Sequence, residues 1–254
     1  MKKILYLSLV AVSLSLTSCI NVIEELFLNK DGSGKYHITI DMSSIMADGG
    51  MRSMMQQFGG DELNNPDNPF ASEEPIEVDS VMYMKDAPDS LRQAFGNDDL
   101  LKRIKIHQIM SESKEVMTTQ FILDFKEIAE VDEFLQKLDK LQTDDNPFGG
   151  GGGGLLPSSN GQNALFQLAK RSLTRNAVAG GDAMDAIGDQ EKGMMRMMLA
   201  DATYKVVYHL PGKVKKTTME GALVDGKTVT LEFPAVDAME GKAKMDGNIK
   251  FKNR

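Results

Sequence analysis

VIEELFLNKDGSGKYHITIDM, residues 22–42, has the form of a β-hairpin. Val22 to Leu28 reads as a first strand, Asn29-Lys30-Asp31-Gly32-Ser33-Gly34 as a turn, and Lys35 to Met42 alternates cleanly. Tyr36, Ile38, Ile40 and Met42 fall on one face and Lys35, His37, Thr39 and Asp41 on the other, the period-2 pattern of a half-buried strand. Asn29, Asp31, Ser33 and Gly34 also fit the opening half of an EF-hand calcium loop. That loop needs a bidentate Glu at its twelfth position, where this chain has Ile40, and helices on both flanks, so the segment is expected to be a plain glycine turn.

Upstream, Lys2 and Lys3 precede an apolar run from Ile4 to Leu16 and a small-residue site, Leu16-Thr17-Ser18-Cys19. The run is too short for a bilayer-spanning helix, which takes about 20 residues, and reads as an export signal covering residues 1–18. The site resembles the lipobox of bacterial lipoproteins, which implies that Cys19 becomes the lipidated first residue of the mature chain, with a diacylglyceryl thioether and an acylated amino terminus. Two or three acyl chains anchor a protein stably where one does not. Cys19 is the only cysteine, so neither a disulfide framework nor a thiolate metal cluster is expected. Without Lys2 and Lys3 the formal charge moves from -8 to -10, which argues against nucleic acid or an anionic membrane as a partner for the bulk charge. Ile20 after the cysteine, where Asp would favour inner-membrane retention, points to the outer membrane.

Downstream, Ser43 and Ser44 are candidate caps for a helix with Met51, Met54, Met55 and Phe58 on one face, and residues 59–79 form an acidic, Pro- and Asn-rich insertion. Val81 to Met84 suggests a strand, and Ser90 caps a short helix carrying Leu91, Ala94 and Phe95. Ile104 to Met110 and Val116 to Phe125 form a second hairpin around Ser111-Glu112-Ser113-Lys114. A helix follows, with Ile128, Val131, Phe134, Leu135, Leu138 and Leu141 on one stripe and Glu133 and Lys137 spaced to pair on another. The glycine run 149–154 marks a second flexible insertion, over 143–163. Ala164 to Arg175 fits a strand or a helix equally, and Asp182 to Ala202 reads as a Met-rich helix. From Tyr204 the pattern is β again: Tyr204, Val206, Tyr208 and Leu210 alternate, Pro211-Gly212 breaks the run, Asp225-Gly226 joins two further strands, and Asn248 to Lys252 adds a last one. This order gives an α+β fold, a largely antiparallel sheet built from hairpins with interspersed amphipathic helices. Residues 19–254 are expected to form one domain, because the strands at its two ends look as though they need each other.

The chemistry-bearing motifs are sparse. Gly221-Ala222-Leu223-Val224-Asp225-Gly226-Lys227-Thr228 satisfies the P-loop expression, but a P-loop requires a helix start after the lysine. Here Thr228 to Phe233 alternates as a strand, so a hairpin is expected and no nucleotide. The eighteen methionines, among them Met194, Met195, Met197 and Met198, offer soft thioether ligands for Cu(I). At helical spacing, though, they read better as core or as the lining of an apolar groove, with Met194, Met195 and Met198 the groove candidates. His37, His107 and His209 sit on the polar sides of strands, and no metal or cofactor is expected. Triad, zinc-protease and paired-cysteine motifs are missing.

Asp31-Gly32-Ser33-Gly34 with the strand ending Ile40-Asp41-Met42-Ser43, and Tyr204 to Leu210 with Pro211-Gly212-Lys213, resemble the LppM-like bacterial lipoproteins. The resemblance covers about a third of the mature chain and implies an α+β domain with a hydrophobic or lipid-binding cavity and no catalysis. The expected function is therefore that of a non-enzymatic, lipid-anchored envelope protein that binds an apolar or lipid ligand or a protein partner near the membrane. The alternatives are an assembly subunit of an envelope complex and, third, a hydrolase built from scattered acids.

Overall fold

The computed structural model describes residues 20–46, 74–89, 92, 96, 99–140, 164–177, 192–193, 196 and 199–252. Cys19, the first Met-rich segment at 51–58, the glycine run, and Met194, Met195 and Met198 lie outside the described residues.

The hairpin at 22–42 is formed as read, from β1 (Asn21–Leu28) and β2 (Gly34–Asp41), in register from Asn21↔Asp41 to Leu28↔Gly34. Gly32, at φ +93, turns the chain. Gly34 lets β1, β2 and the strand that ends at Phe125 close together: a Cβ there would lie 2.0 Å from the Phe27 carbonyl oxygen and 2.5 Å from a Phe125 ring carbon. The second hairpin joins β4 (Ile104–Ser111) to β5 (Val116–Phe125). The closing strands are β8 (Thr203–His209), β9 (Val214–Thr217), β10 (Leu223–Asp225), β11 (Thr228–Pro234) and β12 (Gly247–Phe251).

Among the described residues two sheets result. With β3 spanning Glu77–Tyr83, β6 Phe166–Ala169 and β7 Ser172–Arg175, the larger has eight strands in the order β10-β11-β8-β1-β2-β5-β4-β3, and the smaller has four, β6-β7-β12-β9. Pairing is antiparallel except where β1 runs parallel to β8, from Asn21↔Thr203 to Phe27↔His209. The first and last thirds of the chain thus meet in the middle of the large sheet. An α+β fold with mostly antiparallel sheets is what the element order implied.

Several local details differ from the sequence reading. Strand β3 (Glu77–Tyr83) begins four residues before Val81 and ends in a 3-10 turn, Met84–Asp86. The ambiguous 164–175 stretch is a tight hairpin of β6 (Phe166–Ala169) and β7 (Ser172–Arg175). In the P-loop lookalike Asp225 pairs with Thr228, so the turn is Gly226-Lys227, with Gly226 at φ +57, and a strand stands where a phosphate site needs a helix. At the short helix α1 (Ser43–Met46), Asp41 takes part in the capping: its Oδ1 accepts the Ser43 amide at 2.9 Å. The Ser43 hydroxyl instead accepts the Met117 amide at 3.1 Å, fastening α1 to β5.

The core lies between the sheets. Alternate residues of β1, β2, β5 and β8, such as Val22, Leu26, Ile38, Leu123 and Val206, face Phe166, Leu173, Ile249 and Phe251 from the small sheet. Helix α2 (Ala129–Lys140) adds Val131, Phe134, Leu135 and Leu138, all buried, with Glu133 and Lys137 paired at 3.4 Å on its outer side. Helix α3 (Ala235–Met239) buries its two ends, Ala235 and Met239.

Candidate functional site

The strongest electrostatic feature is inside the core. Glu24 takes an inward position of β1 and Arg175 an inward position at the end of β7, and both are almost fully buried. Arg175 Nη1 reaches Glu24 Oε1 at 2.7 Å and donates to the Tyr208 hydroxyl at 3.0 Å, while the Tyr204 hydroxyl donates to Glu24 Oε2 at 3.0 Å. Arg175 also lies over the Phe166 ring, 5.5 Å from its centroid, and that ring meets Tyr36 and Tyr208 edge-on. The group fastens the small sheet to the centre of the large one.

Its chemistry is that of a structural clasp. Burial pushes the Tyr208 hydroxyl up to about 12 and those of Tyr36 and Tyr204 well above their ordinary value, with the Glu24 carboxylate adding to the effect. The tyrosines therefore stay neutral at any physiological pH, and proton transfer has no group of suitable pKa among them. The Tyr36 hydroxyl and Arg175 Nε are buried without a hydrogen-bond partner.

The histidines are spread over the opposite, outer face of the large sheet. His37 and His209 flank Phe27: His209 stacks on it at 4.2 Å and 6°, and His37 meets it at 5.2 Å and 52°. Burial lowers the pKa of His37, whose Nε2 has no partner. His107 is on β4, two strands from β2, and contacts Asp79 at 2.8 Å. No group of three metal-ligating side chains occurs among the described residues. In the turn suggestive of calcium, Asp31 Oδ1 accepts the Ser33 amide at 3.1 Å and hydroxyl at 2.7 Å, so the would-be ligands close the turn on themselves.

Sequence reasoning missed the open rims of the large sheet. Strand β3 has β4 on one side and, among the described residues, no strand on the other. Val78, Val81 and Tyr83 are 37%, 49% and 46% exposed, large values for apolar side chains on a seven-residue strand. At the other rim β10 is only three residues long, with Leu223 and Val224 exposed. Long apolar edge strands template the addition of a further strand, and proteins usually blunt them. The only sign in the sequence was Val81 to Met84, half of the strand.

No helix among the described residues is long and apolar enough to cross a membrane. No protein-family model matches the chain, and no curated protein matches it. Among solved structures the chain is similar to the folded domain of LppM from Mycobacterium tuberculosis, determined by NMR. The two share 10% identity and a TM-score of 0.39 over 92% of this chain and 91% of that one.

Proposed function

We propose that this chain is a non-enzymatic lipoprotein of the bacterial envelope, acylated at Cys19, that docks an extended segment of a protein partner along β3. The observation that carries the reading is the β3 edge, which no strand covers among the described residues and which carries the exposed Val78, Val81 and Tyr83. Main-chain hydrogen bonds to the free edge would supply affinity, and contacts with Val81 and Tyr83 specificity. A ligand seated between the sheets is disfavoured, because that space holds Phe166, Arg175, Tyr36 and Tyr208 in a chain of contacts, with Tyr204 joined to it through Glu24. The non-enzymatic reading is supported by the sealing of the ionisable cluster inside the core.

The lipobox-like site supports the anchor, and Ile20 after Cys19 favours the outer membrane. Ile20 is buried and β1 starts at the next residue, which would hold the folded body against the bilayer. Fractionation of cells carrying Cys19→Ala is expected to show the protein leaving the membrane fraction; retention there would overturn the anchor. For docking, a photo-crosslinking amino acid at position 81 is expected to give a discrete adduct in intact cells. A second substitution, Ser80→Pro, should abolish it by breaking the edge. The same adduct from a crosslinker at Lys216, on the small sheet, would defeat the reading.

A further inference from the structure

The turn between β1 and β2 and the turn between β6 and β7 meet the end of β12 at one pole of the domain, enclosing a pocket of about 360 Å³. This volume lies within the range of small-ligand sites. Lys30, Lys170 and Lys252 line it, each from a different segment, together with apolar residues that include Leu168 and the buried Phe251. Among the described residues none of these three ammonium groups is paired with a carboxylate. The one acid in the lining is Asp31, and its carboxylate is held by the Ser33 amide and hydroxyl, which are neutral donors. Two excess positive charges are thereby concentrated in one cleft of a chain whose formal charge is -8. Nothing in the fold requires this: unlike Arg175, the three side chains are exposed and fasten no element to another.

We infer that this pocket binds a phosphoryl group, with Lys30, Lys170 and Lys252 as its cationic donors. Lysine suits phosphate as a compact charge, and a group carrying two negative charges matches the excess in the lining. The pocket lies at the end of β1 remote from Ile20, about 25 Å away for a strand of this length. In the anchored protein it therefore faces away from the membrane that holds it, toward a phosphorylated ligand approaching from the other side. This orientation depends on acylation of Cys19; anion binding does not.

The test is calorimetric titration of the full chain, kept in a non-ionic detergent at low salt, with two probes. Sodium pyrophosphate represents a free or terminal phosphate, and glycerophosphoglycerol represents a phosphodiester lipid headgroup. Saturable binding is expected, weakened at least about ten-fold in the K30Q/K170Q/K252Q variant and by added salt. It should be retained in K105Q/K114Q/K205Q, which removes equal charge elsewhere. Preference for pyrophosphate identifies a terminal phosphate, and equal binding of the diester identifies a headgroup. No saturable binding of either probe, unchanged affinity in the pocket variant, or equal loss in the control variant overturns the proposal. Thermal melting of both variants separates lost binding from lost folding.

Discussion

Glu24 occupies a position of β1 where alternation calls for an apolar side chain, and its bonds to Arg175 and Tyr204 make it tolerable there. Removing one partner of such a pair strands a buried charge, so Arg175→Ala is expected to cost about 3–5 kcal/mol, read by urea unfolding. The double variant Glu24→Leu/Arg175→Met, which removes both charges, should recover a large part of that loss. Tyr36 makes a different case. Its buried hydroxyl lies beside the Glu24 carboxylate but makes no hydrogen bond of good geometry, so Tyr36→Phe should change stability by no more than about 1 kcal/mol at neutral pH. The same variant has a pH signature. A tyrosine whose folded-state pKa is raised gives stability that is fully present below its unfolded value of 10.0 and is lost as pH rises through the folded value, about 12 for Tyr208. Stability of the native protein should therefore fall with increasing slope above about pH 10. In Tyr36→Phe the fall should be shallower by up to about 1.4 kcal/mol per pH unit. Equal slopes in the two proteins would show that Tyr36 is not held protonated.

At the scale of elements, the hairpins depend on glycines for two different reasons, and these are separable by experiment. Gly34 is required for space, since an added Cβ would run into the Phe27 carbonyl and the Phe125 ring; Gly34→Ala is expected to destabilise by at least about 2 kcal/mol. Gly226 has nothing within 4 Å but a φ of +57, so Gly226→Ala should cost only the conformational strain, about 1–2 kcal/mol. A melting series containing both variants checks the order. Elements with strict alternation, such as Tyr36 to Met42 and Tyr204 to Leu210, were legible in the sequence because one face of each is buried. The first half of β3 was not: Glu77-Val78-Asp79-Ser80 is exposed on an open rim, so burial imposes no pattern on it. The β6–β7 hairpin was equally hidden, because strands of four residues joined by Lys170-Arg171 carry no glycine or asparagine turn signal. Nor did the lysines of the pocket stand out, since exposed charges read as solvated until the fold gathers them.

The whole molecule is organised by a contact with no local signature, the parallel pairing of β1 with β8. Its Asn21–Thr203 side-chain hydrogen bond joins residues 182 positions apart. The strands at the two ends of the chain were expected to need each other; which of them pair, and in which direction, was not readable, because pairing leaves no trace in hydropathy. The burial of Glu24 depends on the same long-range assembly. Contacts of such separation slow folding, because a long loop must close before any of them forms. Refolding from urea is accordingly expected in milliseconds to seconds, with a single fast microsecond phase excluded. Truncation before β8 should abolish cooperative unfolding of the remaining chain.

Because β1 is bonded along both its edges and begins two residues after Cys19, the acyl anchor proposed at that cysteine would load the strand lengthwise whenever bilayer and body are pulled apart. Its ladders to β2 and β8 would share the strain simultaneously instead of yielding rung by rung, as they would if peeled from a rim. Stretching a single molecule from position 20 against the chain's far terminus should therefore meet a high rupture force. Handles attached at the two ends of β3 should part that outer strand far more gently, which would leave the central strand β1 as the mechanically toughest seam of the domain.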